Sequence, residues 1–457
     1  MIAGFRLLAG IAFIYICGAT VLSLLGYCHR DMLKRPYLLF CFGSGFISFA
    51  LFAALLFKIQ ISLHTGIAVF LGLLFVTMLK NIFMRGGKIR WSLCRVRSDD
   101  IKNDIGGCEK LIRIVCIVII AIQVICVLIV CLEQPENSWD GMARWGFKAK
   151  VIYSEKSVYV DYFNGSHYAF SHPYYPLSVP LEMVNIYLFL GEANDRMVKL
   201  VFFLYFVMLI TAFFDIVKRF LLMSRALFFT ALLSTVPIFL LGGSSAATCL
   251  ANVPLAFYCL AAVLFLMEYL QQRRVEIIVP AGLVLFFCAF TKLEGLYYAA
   301  IFTIGFAGSI IIFDKNRRRQ EPFLQHLFLL IGTFIVLYLP WLWFKALYIR
   351  LDHATFPSAV SLGYIISKLH RLIFVVPMLI FECLKVWHWH IAWIIFAGYF
   401  ILGLKVRRLG REAIFLLSII AGAFILLTAV YTVSSWWGAL VLAIMTTVPK
   451  VITVVPS

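Results

Sequence analysis

Long apolar segments alternate with short, mostly basic loops along the whole chain. Most of these segments approach or exceed the roughly 20 residues that a helix needs to cross a bilayer. The pattern predicts an all-α, polytopic transmembrane helical protein with about twelve spans. The predicted spans are 2–27, 36–57, 61–79, 111–132, 197–217, 225–241, 253–270, 277–291, 297–313, 327–345, 388–404 and 412–433.

Two further apolar stretches, Leu181–Leu190 and Leu372–Phe381, are too short to span comfortably. We predict that both form helices lying in the membrane interface. With that assignment the basic clusters of the chain fall on one side, as the positive-inside rule requires. A large outer loop at 133–196 then opens on the other side, with smaller ones at 242–252, 292–296 and 346–387.

Composition supports this class and removes one alternative. The chain is 63% hydrophobic and 14% charged, whereas soluble domains carry about 25% charged residues. Its net charge of +18 could suggest nucleic acid as a partner. The Lys and Arg residues lie in short loops between apolar segments, which is typical of membrane topology, so we predict no nucleic-acid binding.

The predicted domains follow from the loops. Residues 1–110 comprise three N-terminal transmembrane helices and a basic cytoplasmic loop. Residues 111–457 form a second transmembrane domain, which carries the large outer loop 133–196.

The stretch Ser138–Lys150 opens that loop and contains the first candidate residues. In an α-helix, Asp140, Arg144 and Lys148 would share one face. Trp139 and Trp145 flank that face, and such rings favour the membrane boundary. The stretch could supply a catalytic carboxylate, Asp140, beside two cations, or it could be an interfacial helix with a weak Asp140–Arg144 ion pair.

Lys292 and Glu294 lie at the outer end of a predicted span. Ionisable groups near the membrane persist where they pair or line a cavity. The two could therefore bind substrate or simply pair with each other. Asn252, at the outer start of a span, could act in the site or cap its helix.

Three more polar positions are candidates. The proline-rich run His172–Pro180 contains His172 and Tyr175, and its bland interpretation is a rigid turn. Lys450 is isolated in the apolar tail, either as a snorkelling lysine or as a cation for an anionic headgroup. No metal motif stands out, because His388 and His390 would not share a helix face. We predict no cofactor, although a divalent metal is possible.

The order of these residues resembles that of the GT-C glycosyltransferases, polytopic enzymes that use polyprenyl-phosphate sugars. The likeness is greatest to bacterial members distantly similar to protein mannosyltransferases, and it covers roughly residues 110–457. The chain departs from the family where Asn252 stands in place of an acid and where no second carboxylate follows Asp140. The matching segments are Trp139-Asp140, Lys148-Ala-Lys150, His172-Pro-Tyr-Tyr-Pro176, Asn252-Val-Pro-Leu-Ala256, Lys292-Leu-Glu-Gly295 and the tail around Lys450.

The resemblance implies roles for these residues. Asp140 would take the proton of the acceptor hydroxyl, and cations would stabilise the departing phosphate. His172 would donate a hydrogen bond, and the rings would stack on sugars or pack at the interface. The implied phosphate ligands are Lys292, Lys450 and Lys148 or Arg144, the rings are Trp139, Trp145 and Tyr175, and Asn252 and Glu294 complete the substrate site.

The implied function is a membrane glycosyltransferase, hexosyl- or pentosyl-, of the bacterial plasma membrane. It would transfer sugar, with inversion, from a polyprenyl-phosphate donor to a glycan, lipid or protein acceptor on the outer face, in cell-surface glycan or glycolipid synthesis. A transporter or flippase of lipid-linked saccharides is the alternative, although no internal repeat supports it. A polymerase or ligase with the same kind of donor stays open as well.

Overall fold

A computed structural model of the chain describes residues 2–28, 32–83, 107–240, 245–313, 317–349, 362–389 and 410–433, with isolated residues between 391 and 402. Regular structure in these residues is helical, which confirms the predicted all-α class. The chain divides into two compact units, residues 1–351 and 352–457.

The first unit carries the candidate site. Its helices are α1 (Ile2–Leu24), α2 (Pro36–Leu56), α3 (Leu63–Phe83), α4 (Gly107–Glu133), α5 (Phe147–Glu155), α6 (Ser178–Leu190), α7 (Lys199–Val217), α8 (Met223–Ser234), α9 (Asn252–Gln272), α10 (Ile278–Thr291), α11 (Leu293–Phe313) and α12 (Arg317–Tyr348). Shorter elements are a π-helix at Gly141–Gly146, 3-10 turns at Asp161–Phe163, Ser166–Ser171, Ala246–Thr248 and Val275–Ile277, and a helical turn at Pro237–Leu240.

The most buried helices of this unit are α2, α6, α9 and α10. In the apolar windows of α2 and α9, 78% of the residues are buried, compared with 17% in α4. Helix α2 packs against α1 and α6, and α10 packs against α9, α11 and α12. At the α1–α2 crossing the backbones touch, because a Cβ on Gly18 would lie 1.8 Å from the Leu39 carbonyl oxygen. Only glycine permits so close an approach at this position.

The second unit contains α13 (Leu362–Lys368), α14 (Leu372–Leu384), α15 (Val386–Trp389) and α16 (Arg411–Val433). Helix α14 packs against α16. The Tyr364 hydroxyl donates to the Val433 carbonyl at 3.2 Å, and the Arg371 guanidinium donates to the Thr432 carbonyl at 3.1 Å. His388 contacts the Glu382 carboxylate, while His390 lies outside the described residues.

Among the described residues, ten helices are long and apolar enough to cross a membrane. The protein is therefore a multi-pass membrane protein. Three of the predicted spans are not in this set, and one helix is added to it. Helix α8 is only 12 residues long because it ends before Pro237, and a residue that precedes proline disfavours the helical conformation.

The other differences concern length. The 275–291 helix, which includes α10, is also too short, and the predicted span 388–404 is described only in part. In the second unit, the helix Gly363–Leu384 is long enough to span, whereas the sequence predicted a surface helix at 372–381. The helix begins at Gly363, nine residues before the predicted start at 372, and this added length makes it long enough to span.

The helix predicted at 181–190 is present as α6, and it is enclosed by other helices. Helix α6 packs against α1, α2, α5 and α10, and nearly all of its residues are buried. Its sequence is apolar on every face except for Glu182 and Asn185, and such helices are enclosed by protein.

A buried ionic cluster joins α2, α7 and α9 at one end of the unit. Arg35 and Arg219 bind the Asp215 carboxylate at 3.2 and 3.3 Å, and Arg219 also pairs with Glu268. Glu268 lies sixteen residues after Asn252 in the same helix, a distance of about 24 Å at 1.5 Å per residue. The cluster therefore marks the end of the unit opposite to Asn252.

Candidate functional site

A tight polar turn fixes the start of the π-helix. One oxygen of the buried Glu136 carboxylate accepts hydrogen bonds from the Ser138 amide at 2.8 Å and the Ser138 hydroxyl at 2.5 Å. The Gly141 amide donates to the same hydroxyl at 3.0 Å. A Cβ on Gly141 would lie 2.4 Å from both Glu136 Oε1 and the Thr248 carbonyl oxygen, so only glycine fits.

This turn presents Asp140 beside Arg144, as the sequence predicted. The Arg144 Nε lies 3.2 Å from Asp140 Oδ1, and the two side chains are 21% and 38% exposed. The Nε–H group is not aligned for a hydrogen bond with that oxygen. Because 38% of the Asp140 side chain is exposed, its carboxylate is accessible to a small molecule even though Arg144 pairs with it.

The third member of the predicted face, Lys148, points elsewhere. The sequence predicted an α-helix, but residues 141–146 form a π-helix with an extra residue per turn, which rotates Lys148 away from Asp140. Its ammonium group is fully buried and donates to the carbonyls of His172 at 3.1 Å and Tyr175 at 3.3 Å. Burial lowers the pKa of Lys148 to about 7.

Lys148 therefore fastens the segment that carries His172 and Tyr175. His172 adopts a left-handed conformation with φ of +49°, and its Nδ1 lies 2.8 Å from the Tyr174 hydroxyl. The Tyr175 ring stacks on the buried Trp145 ring, with centroids 5.7 Å apart. The rigid turn predicted from the prolines therefore carries a cluster of rings beside Asp140. We call this cluster the aromatic wall; its residues are Trp145, His172, Tyr174 and Tyr175.

Lys292, Glu294 and Asn252 meet at the junction of α10 and α11. The Lys292 ammonium donates to Asn252 Oδ1 at 2.9 Å and pairs with Glu294 Oε1 at 2.9 Å. Asn252 is the first residue of its helix, and Ala251 occupies the N-cap position. The junction is tight, since a Cβ on Gly295 would lie 1.8 Å from the Cys288 carbonyl oxygen.

Tyr175 connects the two ion pairs. The pKa of its hydroxyl is raised, first by burial and next by the negative charge of Glu294. Asp140 raises it further, and Arg144 opposes the shift. Charges influence a hydroxyl in this way only when they are near it. The structure therefore brings Asp140, Arg144, Tyr175, Lys292 and Glu294 together at the Asn252 end of the unit, where the sequence predicted a common site.

Lys345, in the last turn of α12, belongs to this region but was missed. Its ammonium lies 5.9 Å from the centre of the Tyr174 ring. In the sequence it resembles any basic residue at the end of a span, so only the fold reveals its proximity to the site.

A buried chain of hydroxyl groups was also missed. Ser44, Tyr258, Tyr205 and Glu182 are joined by contacts of 2.8, 2.9 and 2.6 Å across α2, α9, α7 and α6. The other Glu182 oxygen has no hydrogen-bond partner. An acidic residue within an apolar helix is a sequence signal that could have identified this chain.

The remaining predicted site residues are separate from this group. Trp139 is 67% exposed and points away from the core. Lys450 lies outside the described residues. In the part of the chain that the structure describes, no three His, Cys, Asp or Glu side chains come close enough to hold a metal ion.

Comparison with known proteins gives no further guide. The chain has no significant match among family models, curated proteins or solved structures.

Proposed function

We propose that the protein is a membrane glycosyltransferase. It transfers a hexosyl or pentosyl group from a polyprenyl-phosphate donor to a glycan, lipid or protein acceptor, and it resembles the GT-C enzymes. The observation that carries the proposal is the convergence of an accessible carboxylate, Asp140, with the Lys292–Glu294 pair and the Tyr175 ring at one end of a transmembrane bundle. We place this end on the outer face of a bacterial plasma membrane, because the basic loops belong inside.

The proposed step is an inverting displacement. The acceptor oxygen forms a bond to the anomeric carbon as the bond from that carbon to the phosphate oxygen breaks. Asp140 takes the proton of the acceptor hydroxyl, and the polyprenyl phosphate leaves with the bonding electron pair. The added negative charge on the phosphate is stabilised by nearby cations, and aromatic faces such as Tyr175 bind the sugar.

Two roles implied by the resemblance change within this proposal. Lys148 positions the His172–Tyr175 segment and does not contact the phosphate, because it is enclosed and bound to two carbonyls. Trp145 stacks on the Tyr175 ring and does not contact the sugar itself, because its own ring is buried.

The test is sugar transfer in membranes that contain the full-length protein and a polyprenyl-phosphate sugar with a labelled sugar group. Asp140→Asn should lower the transfer rate by about 10²–10⁴-fold, the usual contribution of a general base. The matched control is Asp161→Asn, at an exposed carboxylate of the same loop region, and it should transfer at the wild-type rate.

Protein amount in the membrane must be equal for the three forms. Transfer by Asp140→Asn at the wild-type rate would remove Asp140 as the base. Comparison of surface glycans by mass spectrometry, with and without the protein, identifies the sugar and its acceptor. Identical glycans in the two cases, together with no transfer by the wild type, would refute the proposed function.

A further inference from the structure

Cations at the candidate site differ in how their charge is compensated. Arg144 is paired with Asp140, and Lys292 is paired with Glu294. Lys148 is enclosed and faces two carbonyl groups. Lys345 is different, because none of the carboxylates that the structure describes pairs with it and its ammonium lies over the Tyr174 ring. It is the uncompensated positive charge of this group.

The surroundings of Lys345 hold it in place. It occupies the last turn of α12, where the partial negative charge of a helix C-terminus favours a cation. The Tyr174 ring provides a cation–π contact, and the Tyr174 hydroxyl contacts His172 at 2.8 Å. An anion that approaches the aromatic wall therefore meets a positioned ammonium group.

An apolar groove of about 300 Å³ lies along the same helix, between α11 and α12 and against α10. The end of the groove nearest to the candidate site is at Leu296, one helical turn from Lys292. On α12 it reaches Ile335, ten residues before Lys345, which is about 15 Å along the helix axis. Small side chains open it on the α11 side. The main lining residues are Leu296, Ala299, Ala300, Leu330, Phe334 and Ile335.

We propose that Lys345 and this groove bind one amphiphile, with a phosphate group at Lys345 and a single isoprenoid chain between α11 and α12. This inference rests on the proposed function, in which the donor is a polyprenyl phosphate. An uncompensated ammonium group suits an anionic head, and an almost entirely apolar lining suits a hydrocarbon chain. The groove is a single space of about 300 Å³ between two helices, and this limited volume favours the one chain of an isoprenyl phosphate over the two chains of a phospholipid.

The proposal separates head and chain, so each can be altered alone. Lys345→Gln removes the charge, and Ala300→Leu fills the groove from an exposed position. The matched control for the head is Lys58→Gln, because Lys58 lies over the ring of another tyrosine, Tyr159. The matched control for the chain is Ala68→Leu, at an exposed alanine of α3.

The experiment measures binding to the purified full-length protein by native mass spectrometry. The probes are a long-chain isoprenyl phosphate, the corresponding neutral isoprenol, and phosphatidylglycerol. Lys345→Gln should weaken isoprenyl phosphate binding by at least about ten-fold, the effect of losing one charge-assisted contact, and leave isoprenol binding unchanged. Ala300→Leu should weaken binding of both isoprenoids, and both controls should bind like the wild type.

Several results would overturn the inference. One is equal binding of isoprenyl phosphate by the wild type and Lys345→Gln. Others are an equal loss in Lys58→Gln, or a preference of the wild type for phosphatidylglycerol. Normal binding in Ala300→Leu would show that the chain lies elsewhere, and dimerisation through the groove would assign it to a second copy. Sugar transfer by the wild type alongside any of these results would leave the proposed function intact.

Discussion

At the scale of single residues, the account depends on how the turn before the π-helix presents Asp140. The Glu136 carboxylate, the Ser138 hydroxyl and the Gly141 amide hold this turn together. The carboxylate that is proposed to react is thereby positioned by neighbours that take no part in the reaction. Changes in those neighbours should affect activity more than they affect folding.

Gly141→Ala tests this positioning. The added Cβ would lie 2.4 Å from the Thr248 carbonyl oxygen, so the turn must shift and move Asp140 with it. We expect sugar transfer to fall by at least about ten-fold, because misplacement of a reacting group by 1 Å can cost 10²-fold. Gly66→Ala, where the Cβ would meet nothing within 4 Å, is the control for a helical glycine. Normal transfer in Gly141→Ala would show that the turn does not position the base.

The burial of Lys148 predicts how the stability of the protein depends on pH. Because burial lowers its pKa to about 7, the unfolded chain retains a proton that the folded protein has lost between about pH 7 and its ordinary value of 10.5. Stability of the wild type should therefore rise with pH in this interval, by at most about 1.4 kcal/mol per pH unit. Lys148→Met lacks this contribution.

The measurement is thermal unfolding of purified wild type and Lys148→Met from pH 6 to pH 9. The Tm of the wild type minus the Tm of Lys148→Met should increase as the pH rises above 7. Lys150→Met, on the same helix but half-exposed, serves as the control. A difference in Tm that stays constant over the whole interval would contradict the assignment of Lys148 as a buried, neutralisable amine.

The sequence could predict some of these residues and not others. The Asp140–Arg144 pair was predictable, because residues four apart face each other in most helical geometries. The position of Lys148 was not, since one extra residue in the π-helix changes the face on which later residues lie. The Lys292–Glu294 pair followed from the cost of isolated charges near a membrane, whereas Lys345 had no distinguishing sequence context.

At the scale of helices, α6 is the element whose packing the sequence indicated least. Its length suggested a surface helix, but its packing partners enclose it, and Glu182 joins it to α7 through Tyr205. Span boundaries were predicted best where apolar runs were long, as in α2 and α9. They failed at α8, which ends before Pro237, whereas the bounds of α10 were predicted to within one residue.

Tyr205→Phe should destabilise the unit. It removes the hydroxyl that donates to Glu182 at 2.6 Å and leaves a buried carboxyl group without this partner, at a cost of about 1–3 kcal/mol. The measurement is the shift of the thermal unfolding midpoint. Tyr15→Phe, which loses only a 3.6 Å contact to the Met208 sulfur, is the control and should change stability less.

A double variant sharpens this test. Replacing both partners by apolar groups is often nearly neutral, so Glu182→Leu together with Tyr205→Phe should be more stable than the sum of the single changes predicts. Strict additivity would mean that the two side chains do not interact in the folded protein.

At the scale of the molecule, two polar groups lie at opposite ends of α9. The Asn252 end carries the candidate site, and the Glu268 end carries the buried cluster with Arg35, Asp215 and Arg219. The sequence predicted that the basic clusters of the chain fall on one side, and two of their members, Arg35 and Arg219, do meet at one end of the unit. Their burial within a cluster was not predictable, because it depends on which spans are neighbours.

The central claim is that Asp140 and Lys292 share one face of the membrane, opposite to the end that carries Glu268. Labelling of cysteines with a membrane-impermeant reagent in intact cells and in inverted vesicles tests it most directly. The informative variants are Trp139→Cys, Glu294→Cys and, in the exposed turn near Glu268, Val275→Cys. We predict that positions 139 and 294 are labelled in intact cells and position 275 only in inverted vesicles. Labelling of 139 and 294 from opposite sides would contradict the account.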